Sequence, residues 1–324
     1  METNGERTLV ECVFPARVHM TPIDCNGFDF GRPGGGGVGL AVDCGNRLIL
    51  STDALGGSGI LDPLIEHHIQ GTLRALGTTA IIHYQLSMHS AVQQHLGLGS
   101  SAIVGAATVW AVSELLGAGL TREECARIAI AGFGECQDGR VVPGLDTGVG
   151  IYSTLFGGFV VTGADGILVS RLPVDASLKI SIVDVGARRS GMDEPESVSM
   201  LAWSRKLDSH YRYKRAFEIL MRMIPAVVRG DWVTVGDLNW DFQFGGTHVS
   251  MYQGYEDCGI LLLSALHKVR RHSFACGLSS VGPYLFALNT DERSIQHLSE
   301  REGWMCWHFA PDNLGVRTVG DGLL

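Results

Sequence analysis

Lysine is nearly missing from this 324-residue chain: four are present, and the 25 lysines and arginines together are outnumbered by 34 aspartates and glutamates, for a formal charge of −9. No basic face is left for nucleic acid or for an anionic membrane. The eight cysteines (Cys12, Cys25, Cys44, Cys125, Cys136, Cys258, Cys276 and Cys306) never form C-x-x-C or a zinc spacing, so they read as reduced, buried thiols of a cytoplasmic protein. A lysine after a loop glycine is also missing, which excludes a Walker nucleotide loop. The opening METNGERTLVECVFPARVHM lacks the basic stretch and apolar core of a secretory signal. The longest apolar run, Ala102 to Val112, stops at Ser113 and Glu114, too short to cross a bilayer and suited to a buried helix.

Glycine, by contrast, is abundant. Its 43 residues are nearly twice the usual share of roughly 7% and are clustered, which points to loops that approach a small ligand. With 45% apolar and 18% charged residues the chain is globular and long enough for two domains, which we place at residues 1–175 and 176–324 with a boundary near Asp175.

Alternation predicts strands over Thr8 to Met20 and Val38 to Leu50, the second punctuated by a turn pair at Gly45 and Asn46. A helix is expected over Pro63 to Leu76, a strand over Ala80 to Met88, and a helix over Ser101 to Leu116. Thr121 and Glu124 form a capping-box pattern for a helix over Glu123 to Gly132. Short strands at Phe159 to Thr162, Ile167 to Leu172 and Leu178 to Val185 precede polar and aromatic helices between Glu194 and Val228, where Pro225 should end or kink the run. A helix from about Tyr255 to Arg271 and strands around Pro283 to Asn289 and Trp304 to Phe309 follow. Strands and helices segregate, so the fold class is α+β.

The chemistry sits in small-residue loops. Gln94 to Ala107, QHLGLGSSAIVGAA, runs from the expected strand into a helix. Gly97 and Gly99 let backbone approach an anion, and Ser100 and Ser101 offer hydroxyls and amides at a helix N-terminus, a setting that favours phosphate; the plain alternative is a tight strand-to-helix turn. Gly34, Gly36 and Gly39 match G-x-G-x-x-G by count, but a strand pattern follows where a dinucleotide site needs a helix. Gly144 to Gly158 is a second small-residue loop. Without lysine, phosphate or carboxylate charge falls to Arg17, Arg32, Arg188 and Arg189, whose guanidinium groups pair with either bidentately. No Ser/His/Asp or Cys/His set stands out.

ARVHMTPIDCNG, FGRPGGGGVGLA, HLGLGSS and ACGLSSVGPYLFAL occur in that order from Ala16 to Leu288. The series resembles the β-ribofuranosylaminobenzene 5′-phosphate synthases, enzymes of GHMP kinase fold. The resemblance implies a two-domain GHMP architecture, an N-terminal domain of the ribosomal S5 domain 2 type followed by a ferredoxin-like domain. It also implies that phosphoribosyl pyrophosphate and an aromatic amino carboxylate are joined by a carbon–carbon bond with loss of pyrophosphate and carbon dioxide. Magnesium is expected through pyrophosphate, with Asp24 or Asp146 as possible anchors, and no organic cofactor.

On this basis Asp24, Arg32 and His19 are the expected catalytic residues. Gly97, Gly99, Ser100, Ser101, Ser279, Ser280 and Gly282 are the expected phosphate wall, and Arg17, Asn26, Arg188, Arg189 and Gln253 the acceptor contacts. Bland readings stand beside these: His19 as a bonded core residue, Asn26 as a turn former next to Gly27, Arg188 and Arg189 as solvated surface. His67 and His68 read as structural or exposed, and Trp203, Tyr211, Tyr213 and Phe217 as helix packing or a subunit contact, for instance in a homodimer. The phosphoribosyltransferase signature is absent, since Ile182 to Gly186 holds the single acid Asp184. The catalytic aspartate of many GHMP kinases would fall at Val149 or Gly150, neither a carboxylate, with Asp146 nearby. Where Asp146 stands, synthases using 4-aminobenzoate would carry a basic residue. That departure points to an amino heteroaromatic acid, as in C-nucleoside antibiotic pathways of the formycin and pyrazofurin type. An ATP-dependent small-molecule kinase and a non-catalytic binder of a phosphorylated metabolite are the alternatives.

Overall fold

The computed structural model describes residues 7–28, 34–55, 62–188, 194–255, 257–289 and 291–320. The first two strands, β1 (Leu9–Pro22) and β2 (Gly37–Ser51), pair antiparallel along their whole length, from Leu9 opposite Ser51 to Pro22 opposite Gly37. The turn expected at Gly45 and Asn46 is instead a bulge inside β2, where the register jumps from Phe14–Asn46 to Ala16–Val42. Gly45 adopts φ +68 there, a left-handed residue that a bulge accommodates without breaking the strand. A second shift between His19 and Thr21 re-aims the end of β1 that meets the glycine loops.

The chain continues through α1 (Pro63–Leu76), β3 (His83–Ser87), α2 (Ser100–Leu115), α3 (Arg122–Ala131), the hairpin β4 (Glu135–Gln137) and β5 (Arg140–Val142), α4 (Val149–Phe156), β6 (Phe159–Thr162) and β7 (Leu168–Leu172). Asp62 caps α1 by accepting from Leu64 N, and Pro63 occupies its first turn. Thr121 and Glu124 form the expected capping box on α3. Twelve of the sixteen residues of α2 are buried, so this helix lies inside the fold and has no solvated face.

The remainder comprises β8 (Lys179–Asp184), α5 (Glu194–Glu218), α6 (Ile224–Arg229), α7 (Trp232–Gln243), α8 (Thr247–Gln253), α9 (Asp257–Arg270), β9 (Ala275–Leu278), β10 (Leu285–Asn289), α10 (Arg293–Glu302), β11 (Met305–Pro311) and β12 (Arg317–Thr318). Pro225 neither ends nor breaks the helical run: a π turn over Ile219–Met223 precedes it and absorbs the missing N–H, and helix resumes in α6. The sequence reading did not mark α7, α8 and α10.

The architecture is α+β. A ten-stranded sheet runs β12-β1-β2-β11-β8-β10-β9, with β3 and β6 also on β2 and β7 beyond β6. β2 thus pairs with β1, β3, β6 and β11 along different stretches of its length. Asp175, where a boundary was expected, sits in the turn between β7 and β8 and accepts from Ser177 N. One apolar core extends from Val10, Leu40 and Ile103 to Ile180, Phe286 and Phe309, and a second gathers Val183, Tyr252, Leu266 and Ile295 behind the β8–β10 end.

Candidate active site

Strand β1 delivers Arg17 and His19 to the start of α2. Gly97 (φ +105) and Gly99 (φ +78) hold conformations that suit glycine, and each also packs too closely for a side chain. A Cβ on Gly97 would lie 2.5 Å from Ser279 O, and one on Gly99 would lie 2.7 Å from Arg17 Nε. Gly99 caps α2 with no side-chain hydrogen bond, which leaves the positive end of a sixteen-residue helix to backbone amides.

Arg17 is 7% exposed. Its Nη1 donates to Gly97 O at 2.7 Å, while its Nε is buried and has no hydrogen-bond partner among the described residues. Burial pulls the guanidinium down to about 10, against the pull of Asp146 and Glu135, so it stays charged at neutral pH. A buried cation with a free N–H beside a helix N-terminus is an incomplete anion site. Ser279 Oγ donates to Gly97 O (2.7 Å) and accepts from His19 N (3.1 Å), and Ser280 N donates to His19 O (3.0 Å), which stitches the 279–282 turn onto β1 and the glycine loop.

Burial first, then the neighbouring Arg17 and His248, hold His19 well below its ordinary range, so it is neutral. Its Nε2 lies 3.1 Å from Thr147 Oγ1, and Gly37 provides the room, since a Cβ there would lie 2.8 Å from that nitrogen. Asp146 is 7% exposed, and Gly148 N donates to its Oδ2 at 2.9 Å. Burial raises its carboxyl, partly offset by that amide and by Arg17. Glu135 is raised as well, by burial first. Arg17, His19, Asp146, Thr147 and Ser280 line a cavity of about 100 Å³, together with Phe28 and Met251. One cation, one neutral imidazole, a hydroxyl and a buried carboxyl can bind and orient a charged substrate; none is a strong base.

Of the residues expected from sequence, Arg17, His19, Gly97, Gly99, Ser279, Ser280 and Gly282 come together, with Ser100 and Ser101 on the first turn of α2. Asp24 and Asn26 lie one turn away and engage each other: Asp24 Oδ1 accepts from Asn26 N (2.9 Å) and Nδ2 (3.1 Å), while Oδ2 pairs with Arg212 Nη1 at 3.3 Å. Arg188 makes a bidentate pair with Asp184, both bonds 2.9 Å, at the end of β8. Arg32 and Arg189 lie outside the described residues, as does the Gln253 side chain, which belongs to α8. Trp203, Tyr211, Tyr213 and Phe217 are exposed, with the Tyr211 ring lying against Gly245.

The sequence reading missed Thr147, although its loop was marked, and missed the charged ladder of α5. Asp208 is fully buried: its Oδ2 accepts from Cys25 N (2.8 Å) and its Oδ1 from Arg215 Nη2 (2.7 Å). Arg215 Nη1 also donates to Pro22 O (3.0 Å) and Ile23 O (3.1 Å), and Arg205 donates to Phe28 O. The helix thereby clamps the 22–28 turn over the cavity. No sequence signal distinguishes these charges from a solvated helix face.

Residues 65–153, which include the glycine loop and α2, match the family described as GHMP kinases N terminal domain. The chain is 26% identical over 313 residues to the beta-ribofuranosylphenol 5'-phosphate synthase of Methanothermobacter thermautotrophicus, covering 86% of this chain and 88% of that protein. It is 26% identical over 320 residues to the protein of the same name from Archaeoglobus fulgidus, covering 90% and 93%. Among solved structures it is similar to homoserine kinase from Cytophaga hutchinsonii (17% identity, 98% of this chain and 100% of that one, TM-score 0.66). It is also similar to mevalonate pyrophosphate decarboxylase from Streptococcus pyogenes (13% identity, 96% and 99%, TM-score 0.67). At these identities the solved structures speak to the fold alone. No helix of the described residues is long and apolar enough to cross a membrane.

Proposed function

From the premise that this chain has the GHMP fold and is related along most of its length to the beta-ribofuranosylphenol 5'-phosphate synthases, we propose that it transfers a phosphoribosyl group from phosphoribosyl pyrophosphate to an aromatic carboxylate, with loss of pyrophosphate and carbon dioxide. One observation carries the reading. Residues of three distant segments, Arg17 and His19, Asp146 and Thr147, and Ser280, form one wall of one cavity beside the α2 N-terminus. Two of these segments are those in which the resemblance to the synthases lies.

The chemistry suits the side chains. The anomeric carbon–oxygen bond breaks with its electron pair leaving on pyrophosphate, and the α2 N-terminus and the free Nε of Arg17 are placed to hold that growing charge. The ring carbon that bears the carboxylate, made electron-rich by an amino substituent, bonds to the anomeric carbon. The carbon–carboxylate bond then returns its pair to the ring as carbon dioxide leaves. Since carbon dioxide departs in place of a proton, neutral His19 and Thr147 need only orient the acceptor.

Magnesium, when bound, would supply charge neutralisation of the leaving pyrophosphate. Among the described residues no three His, Cys, Asp or Glu groups cluster as a metal cage, so the fit rests on a single carboxylate. Asp146 fits, because it faces the cavity and its burial-raised carboxyl would be stabilised in the ionised form by a cation. Asp24 fits less well, since both oxygens already serve Asn26 and Arg212. The finer reading is an acceptor with ring or amino N–H groups facing Asp146, an amino heteroaromatic acid such as an aminopyrazole carboxylate, giving a C-nucleoside 5′-phosphate.

The test is incubation of the purified protein with phosphoribosyl pyrophosphate, magnesium and a panel of amino-substituted aromatic and heteroaromatic carboxylates. Equal release of pyrophosphate and carbon dioxide is the expected result. Formation of ADP from ATP with a small alcohol, and no carbon dioxide, would replace this reading with a kinase.

A further inference from the structure

On the face of the helical layer away from β1, a groove of about 770 Å³ lies between α1, α3 and the β4–β5 hairpin. That is within the usual size range of small-molecule sites, roughly 300–1,000 Å³. Its floor is apolar, built by Leu120, Ile128, Phe133 and Val141. Its edges are cationic: Arg74 projects from α1 and Arg127 from α3. Arg74 has no ion pair among the described residues, and its guanidinium folds back over the groove, with Nη2 4.0 Å from where a Cβ on Gly71 would sit. The groove's carboxylate, Glu124, is occupied at the capping box, where Thr121 N (2.8 Å) and Thr121 Oγ1 (3.0 Å) donate to it. Its remaining contact with Arg127 is a 3.7 Å pair in solvent. On a chain of net charge −9 this is a local excess of positive charge above an apolar bed.

His68 backs the groove against α2. It lines the groove, is 3% exposed, and its Nε2 has no partner among the described residues; it rests against Gly105 of α2, where a Cβ would lie 2.4 Å from that nitrogen. Residues 141–143 form one wall, and the chain passes directly from them to Leu145, Asp146 and Thr147, which line the cavity of the candidate active site. Glu135 of the same hairpin sits where a Cβ on Gly144 would be, 2.5 Å from its Cγ.

We propose that this groove is a second binding site, for a small organic carboxylate: an aromatic or apolar body of one or two rings lies on the Leu120–Phe133 floor, and its carboxylate is held between Arg74 and Arg127. A bidentate guanidinium fits a carboxylate, and the bed fits the ring. Occupancy presses on the hairpin whose continuation carries Asp146, which gives the groove a route to the cavity. The proposal is independent of the reaction assigned to that cavity.

The probe is 2-naphthoate, with neutral 2-naphthamide as its isostere, titrated calorimetrically into the full chain. Wild type is expected to bind the acid and to bind the amide about tenfold or more weakly. The double variant R74E/R127E, at exposed positions, should weaken the acid by a similar factor. Gly71→Phe, whose Cβ meets only the flexible Arg74 guanidinium at 4.0 Å, should fill the groove and abolish binding. Arg17→Met should leave this binding unchanged. Equal affinity for acid and amide, indifference to R74E/R127E, or loss of binding in Arg17→Met would each overturn the proposal, the last by assigning the acid to the active-site cavity.

Discussion

At the residue scale, Arg17 carries the argument, because a strand arginine with a buried, unpartnered Nε is costly unless an anion completes it. Arg17→Met keeps the bulk and removes the charge. It should reduce pyrophosphate affinity by at least about tenfold, in line with roughly 1.5–3 kcal/mol for hydrogen bonds to a charged group. Isothermal titration checks this, and undiminished affinity would assign the anion to the loop amides alone. Two histidines predict a pH dependence of stability. Burial holds His68 down to about 4, and burial with Arg215 nearby holds His248 down to about 3, whereas both sit near 6.5 in the unfolded chain. Below about 6.5 the unfolded state takes up protons that the fold refuses, so stability falls as pH drops through that value and on toward 4 for His68 and 3 for His248. Asp146 and Glu135, raised by burial, act in the opposite sense over the carboxylate range. The urea midpoint should therefore be lower at about pH 5 than at about pH 7. Asn or Gln at position 68 or 248 should flatten that difference.

At the element scale, α5 matters through what it holds. Arg215 and Asp208, 2% and 0% exposed, tie the helix to the 22–28 turn. Arg215→Met leaves Asp208 buried without its guanidinium and should cost about 3–5 kcal/mol in chemical denaturation. Thr121→Ala, which removes one half of the α3 capping box, should cost only about 1 kcal/mol. The contrast tracks what was legible beforehand. The capping box is written in four adjacent residues, and the Gly97–Gly99 loop in a strand-to-helix transition, so both could be read locally. The fate of Pro225 depended on a π turn placed by packing. In α7, WVTVGDLNWDFQ looks unlike a helix because it is rich in β-branched and aromatic residues. Its Gly236 makes sense only in three dimensions, where a Cβ would lie 1.8 Å from Phe274 O. Asp24 was chosen from a motif, and the fold turns it toward Asn26 and Arg212. Thr147 and Asp208 were invisible as site residues because nothing local distinguishes a buried polar side chain from a solvated one.

At the scale of the molecule, the sheet is shared between the two halves of the sequence. β11 bridges β2 and β8, β12 pairs with β1, and one core joins Val10 and Leu40 to Ile180 and Phe286. A fragment of residues 1–175 would expose the β2 edge that receives β11 and the apolar face beneath it. It should fail to give the dispersed amide spectrum of a folded protein when expressed alone. A well-dispersed spectrum from that fragment would show that the N-terminal half holds its own core.

The bulged strand that runs from Gly37 to Ser51 takes partners on both sides: Val42 faces Ala16 on one flank and Pro311 on the other, and Leu40 faces Val18 and Phe159. Its amides point to one flank or the other and are held by different ladders, so only rupture of several ladders at once exposes the whole strand. In deuterated water the signals of Leu40 to Val42 should be among the last to fade, at rates that report global opening. A small molecule that tightens the whole protein would then be detectable there, as slower exchange of these same amides.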